Sequence, residues 1–148
     1  MFNVPRVLEN WQVLVIDDEV DSIALMCTLL EMHGATVYTA SNGEEGLRLI
    51  REHRSQLKFV ITDLQMPKID GWQLLREVMS DTSLSLYNIP IVALTAHAMV
   101  GDRERAVAAG FEYFLTKPID ALTFVSDLLR LFIDIMDVEP LIEALDSV

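Results

Sequence analysis

Five short apolar runs recur along the chain: Val13-Leu14-Val15-Ile16, Thr36-Val37-Tyr38-Thr39, Phe59-Val60-Ile61-Thr62, Ile91-Val92-Ala93-Leu94 and Tyr113-Phe114-Leu115-Thr116. Short continuous apolar runs suit strands buried on both faces. Helical patterns fill the gaps. One runs from Glu19 to Met32 and stops at His33-Gly34. Another opens at Ser41-Asn42-Gly43-Glu44, which reads as a capping box. A third follows Asp70-Gly71 to about Met79, after Met66-Pro67 breaks the chain, and Asp81 to Ile89 reads as a polar loop. Pro90 leads into the fourth strand, a helix over Asp102 to Ala109 ends at Gly110, and a last helix begins near Asp120. Strands alternating with helices predict an α/β fold, a doubly wound parallel sheet with helices on both faces.

The last helix is apolar on more than one face. Ala121, Phe124, Val125, Leu128 and Phe132 make one stripe, and Leu122, Leu129, Ile133 and Met136 widen it. One face packs on the sheet; the surplus packs against the C-terminal tail or forms a subunit interface, which would make a homodimer. Residues 134–148 carry five acids and no base, with Val138, Leu141, Ile142 and Leu145 at helical spacing. They read as an acidic extension, a short helix or the start of a linker, on a single-domain core of about residues 11–133.

Composition narrows the class. The chain has 148 residues, 51% apolar and 23% charged, as expected for one soluble globular domain. Its net charge of -12 repels phosphate backbones, so no direct nucleic-acid binding is expected. The single cysteine, Cys27, lies on the stripe Val20, Ile23, Ala24, Cys27, Leu30 and reads as a buried small hydrophobe. The first ten residues lack a signal-peptide pattern, and no apolar run approaches the ~20 residues that span a bilayer. The cytoplasm is the expected compartment, without membrane insertion.

Chemistry gathers at the strand ends. Asp17-Asp18 follow the first run, Asp63 the third, Thr95 the fourth and Lys117-Pro118 the fifth. Ligands of open parallel sheets bind outside the carboxyl ends of the strands, so these residues can converge. Clustered carboxylates raise one another's pKa until a divalent cation relieves them, and hard oxygen donors beside a phosphate point to Mg2+. His33, His53 and His97 lie far apart and lack zinc-ligand spacing. A carboxylate beside Mg2+ can attack phosphorus and form an acyl phosphate. Singly, Asp17-Asp18-Glu19 is a solvated N-cap and Lys117-Pro118 a turn; the set in order is what carries the reading.

Val15-Ile16-Asp17-Asp18-Glu19, Thr62-Asp63-Leu64-Gln65-Met66-Pro67 with Asp70-Gly71, Ala93-Leu94-Thr95-Ala96 and Phe114-Leu115-Thr116-Lys117-Pro118 resemble a response-regulator receiver domain of two-component signalling, of the chemotaxis-protein type. The resemblance runs from about Trp11 to Ile133. It implies a flavodoxin-like five-stranded sheet of order 2-1-3-4-5. It makes Asp63 the phosphoacceptor, with Asp18 and Asp63 ligating Mg2+ directly, Asp17 acting mainly through water and the Gln65 backbone carbonyl completing the set. Lys117 would contact the phosphoryl group, and its bond to Pro118 would be cis. Thr95 would move toward the phosphoryl group and Phe114 turn inward behind it, although plain core packing also accounts for Phe114. Gln65 and His97 would border the path of the hydrolytic water and set the phosphoryl lifetime; surface filler is their other reading.

The implied function is a phosphorylation-controlled switch, not a metabolic enzyme. A histidine kinase or histidine phosphotransfer protein charges Asp63, and an unidentified downstream protein reads the result. An aspartate-nucleophile phosphohydrolase needs a second Asp two residues after the nucleophile, where Gln65 stands, and a constitutive scaffold needs none of the site. The run Thr95-Ala96-His97-Ala98-Met99 looks similar to receivers of hybrid kinases and relay shuttles. The Met1 start and apolar tail favour a complete single-domain protein over an excised receiver.

Overall fold

The five runs become the strands Gln12–Ile16 (β1), Thr36–Ala40 (β2), Leu57–Asp63 (β3), Ile91–Thr95 (β4) and Tyr113–Thr116 (β5). The computed structural model describes residues 4–66, 68–95 and 102–147. The strands form one sheet in the order β2-β1-β3-β4-β5, and each pairing is parallel. The chain reverses direction of travel across the sheet between β1 and β3, which opens a crevice at the carboxyl ends there.

Alternation within the strands divides the core. Val13, Val15, Phe59, Ile61, Val92 and Leu94 face the helices Val20–Met32 (α1) and Phe124–Leu131 (α6). Leu14, Ile16, Val60 and Ala93 face Gly43–His53 (α2), Gly71–Ser80 (α3) and Asp102–Ala109 (α5). Helices on both faces explain why the central strands β1, β3 and β4 carry consecutive apolar residues rather than an alternation. Gly110 ends α5 with φ of +111°, a conformation that glycine adopts at no steric cost.

Several expectations need correction. The stretch Asp81 to Ile89 contains a one-turn helix, Thr82–Ser85 (α4), which drives Leu84 into the core. Its single buried leucine is too sparse to stand out as a period. The N-cap of α2 is Asn42, whose side chain accepts from Glu45 N at 2.9 Å, so the capping register lies one residue beyond Ser41. Glu45 reaches back to Ser41 N at 3.4 Å. Helix α6 starts at Phe124, because Asp120 first closes a turn by accepting from Leu122 N and Phe124 N. Leu122 is left exposed. On α1 the buried side chains are Met26, Leu29 and Leu30, whereas Val20 and Ala24 are exposed. Val20 opens the helix beyond the last residue of β1. Cys27 is only half-buried, with its thiol pKa raised by burial and by Glu31.

After α6 the chain folds back as a helix over Glu139–Asp146 (α7), with Pro140 in its first turn. Val138 and Ile142 are buried in the cluster that holds Leu128, Leu129 and Phe132. Arg130 pairs with Asp146 at 3.3 Å, so the C-terminal ends of α6 and α7 lie together and α7 covers part of the surplus apolar surface of α6. Ile133 stays exposed at the turn. Among the described residues no helix is long and apolar enough to cross a membrane.

Candidate functional site

Three strands deliver the polar side chains to one edge of the sheet. Asp17 follows β1, and its N–H still bonds Ala40 O at 3.1 Å. Its Oδ1 accepts from Glu19 N at 2.9 Å, which turns the chain into α1. Asp63 is the last residue of β3, in register with Leu94 of β4. Its Oδ1 accepts from Gln65 N at 3.1 Å. Gly71 packs beneath this end, where an added Cβ would sit 2.5 Å from Asp63 O. The position therefore requires glycine to leave the Asp63 carboxylate in place.

Lys117 follows β5, and its N–H bonds Thr95 O at 2.7 Å, tying the ends of β4 and β5 together. The Lys117–Pro118 peptide is cis. Lys117 Nζ donates to Glu19 Oε1 at 2.7 Å and to Asp63 Oδ2 at 3.0 Å, and lies 3.0 Å from Asp17 Oδ2. Burial alone would lower this ammonium's pKa, but its close contacts with the Glu19, Asp17 and Asp63 carboxylates outweigh it and hold the pKa above its ordinary value. Lys117 is therefore a fixed positive charge at neutral pH. Asp17 is fully buried, and burial raises its pKa, helped by the charge of Asp63 and opposed by the Glu19 N–H and by Lys117.

Asp17, Asp18 and Asp63 each offer a carboxylate oxygen, and these oxygens lie within 4.8 Å of one another. Asp17 Oδ2 is buried without a well-directed hydrogen bond, since the Lys117 contact is close but off-axis. An orphaned buried oxygen in an all-oxygen set fits a small hard cation such as Mg2+. Among the described residues this is the one such cluster. His33 bonds Leu29 O through Nδ1 at 2.8 Å, and His53 stacks on Tyr38, so neither stands at the site.

The remaining candidates divide. Thr95 closes β4 beside the cluster, in register with Thr116. Phe114 is half-buried in β5 opposite Ala93, on the α2–α3–α5 side of the sheet. Gln65 exposes its side chain, and its backbone N–H holds Asp63. His97 lies outside the described residues. Sequence reasoning missed Glu19, which stands at the N-cap of α1 without capping it and reaches Lys117, 98 positions away in the chain. No local signal encodes that pairing.

Comparison with known proteins matches this geometry. A family model described as the response regulator receiver domain matches residues 13–128. The polar-differentiation response regulator DivK of Brucella anthropi is 34% identical over 113 residues, 76% of this chain and 89% of that one. A response regulator receiver domain protein of Clostridium thermocellum superposes with a TM-score of 0.71 at 33% identity, covering 88% of this chain and 98% of that one. A chain of the CheX–CheY–BeF3–Mg2+ complex of Borrelia burgdorferi shares the fold, with a TM-score of 0.73 at 24% identity over 82% of this chain and 89% of that one. Strand order, strand-end carboxylates and these matches agree: the chain belongs to the response-regulator receiver family of two-component signalling.

Proposed function

We propose that this chain is a switch charged at Asp63 by a phosphohistidine of a histidine kinase or histidine phosphotransfer protein. The observation that supports it is the convergence of Asp17, Asp18 and Asp63 within 4.8 Å, with Lys117 3.0 Å from Asp63. A carboxylate oxygen of Asp63 attacks phosphorus. The P–N bond of the donor breaks, and its electron pair stays on the imidazole nitrogen. Lys117 balances charge on the phosphoryl oxygens, and the Thr95 hydroxyl donates to one of them.

Asp17, Asp18, Asp63 and the Gln65 carbonyl would hold Mg2+. When bound, the cation offsets the carboxylate charge and polarises the phosphoryl oxygens. Support comes from the orphaned Asp17 Oδ2 and from the Borrelia relative, whose complex contains BeF3 and Mg2+.

Bonds from the phosphoryl group to Thr95 and Lys117 favour a second arrangement of β4 and β5, with Phe114 following Thr95 inward. A downstream protein that prefers this arrangement then binds more tightly. Water later releases phosphate from Asp63 at a rate set by Gln65 and His97, so the only catalysis is self-directed. The cytoplasm, where such donors work, is the compartment this reading assigns.

Intact mass after incubation with acetyl phosphate tests the proposal. One Mg2+-dependent phosphoryl adduct, absent in Asp63→Asn, is expected. An adduct that survives Asp63→Asn, or none from either acetyl phosphate or a phosphohistidine donor, overturns it.

A further inference from the structure

The Lys117 ammonium carries three N–H bonds, and three carboxylates stand around it. They are not equivalent. Asp17 and Asp63 are buried, and each is fixed at its other oxygen by a backbone N–H, from Glu19 at 2.9 Å and from Gln65 at 3.1 Å. The Glu19 side chain is 62% exposed, yet it makes the shortest contact, 2.7 Å. At the N-cap of α1 its carboxylate caps nothing and turns toward Lys117.

We propose that Glu19 is a displaceable stand-in for the phosphoryl group. It holds Lys117 aimed into the cluster while Asp63 is unphosphorylated, and it yields a Lys117 N–H once Asp63 carries phosphate. The inference rests on the reading of Asp63 as phosphoacceptor. In the exchange one Nζ–H···Oε1 bond to Glu19 breaks and one Nζ–H···O bond to a phosphoryl oxygen forms. No covalent bond changes at either residue, and the Glu19 carboxylate passes into water.

Two arguments single out Glu19. An exposed carboxylate recovers hydration on release, so its ion pair is cheap to break. Releasing Asp17 or Asp63 instead would leave a buried charge unpaired. Glu19 is also a negative charge seated where an anionic donor needs Lys117. It therefore competes with any phosphoryl anion and slows charging. That makes it a positioning residue, acting on the reaction through Lys117.

The test is beryllofluoride affinity, read by fluorine NMR at saturating Mg2+, for the unsubstituted chain, Glu19→Gln and Glu19→Ala. Glu19→Ala is expected to bind several-fold more tightly. Glu19→Gln should fall between, because its amide oxygen still accepts from Lys117 without the charge. Charging by acetyl phosphate should accelerate in the same order, with the gain shrinking as salt rises. Asp21→Asn removes a neighbouring charge from the first turn of α1 without touching Lys117's ion pairs. An equal gain in Asp21→Asn would reduce the effect to net charge and overturn the inference. Unchanged or weaker affinity in both Glu19 variants, with the parent still binding, overturns it too and leaves Asp63 as acceptor. No beryllofluoride binding and no adduct in the parent overturns the function itself, and the inference with it.

Discussion

Asp17 and Asp81 begin from the same local chemistry and end in opposite electrostatic states. Each stands where one element gives way to the next, and each accepts, through Oδ1, the backbone N–H two residues on: Glu19 at 2.9 Å and Ser83 at 3.0 Å. Asp81 is partly exposed, with the Ser83 hydroxyl at 2.7 Å and Arg51 at 3.4 Å. The Ser83 hydroxyl lowers its pKa most, with Arg51 adding to the effect. Around Asp17 there is the core, with Asp18 and Asp63 close by, and burial raises its pKa. The turn motif is indifferent to function. Burial beside like charges makes one aspartate costly to ionise, and so a candidate site, while exposure makes the other a cap.

The largest break in this comparison should come from what the Asp81 cap secures. Leu84→Ala deletes a side chain that is 1% exposed and should cost about 3 kcal/mol in denaturant unfolding, leaving Mg2+ affinity unchanged. Loss of Mg2+ affinity in that variant would join the two junctions. Next, Asp17→Asn should weaken Mg2+ at least tenfold, about 1.4 kcal/mol, and raise the cation-free Tm because a buried charge is gone. A lower Tm would mean that Lys117 more than compensates Asp17. Asp81→Ala should lower the Tm by less than Leu84→Ala does, with no effect on cation binding.

The two groups also bend the pH profile in opposite senses. A folded pKa raised above its unfolded value, as at Asp17, contributes stability at low pH that is lost as pH climbs through the folded value. A folded pKa that is lowered, as at Asp81, contributes stability above the ordinary carboxylate range that is lost as pH falls through the folded value. Cation-free unfolding against pH should therefore lose its decline above the carboxylate range in Asp17→Asn, and part of its acid limb in Asp81→Ala. Lys117, whose pKa is raised, keeps its contribution until strongly alkaline pH.

Asp17, Asp63 and Lys117 were legible because apolar runs locate strand ends, and parallel strands bring those ends together. Five strands and most crossover helices followed from the same pattern. The strand order needed the family resemblance, since no residue spacing states which strand lies beside which. Helix α4 was not legible: its cap at Asp81 and its one core residue, Leu84, read as polar loop. The α1 stripe holds at Ile23 and Leu30 but not at Val20 and Ala24, because several stripes compete on a mostly apolar helix and only packing on the sheet selects Met26, Leu29 and Leu30. Of the surplus on α6, Leu129 and Met136 pack with the residues of α7, while Leu122 and Ile133 stay exposed, and the sequence alone does not divide them. Glu19 is the instructive omission. Its role depends on a lysine 98 residues away, and nothing in Asp17-Asp18-Glu19 itself distinguishes a cap from a lysine ligand.

Calorimetric titration of Mg2+ into the unsubstituted chain, Asp17→Asn and Asp81→Asn tests the central claim most directly. The account predicts binding of one ion by the unsubstituted chain and by Asp81→Asn with equal affinity, and at least a tenfold loss in Asp17→Asn. Equal losses in both variants, or full affinity in Asp17→Asn, would contradict it.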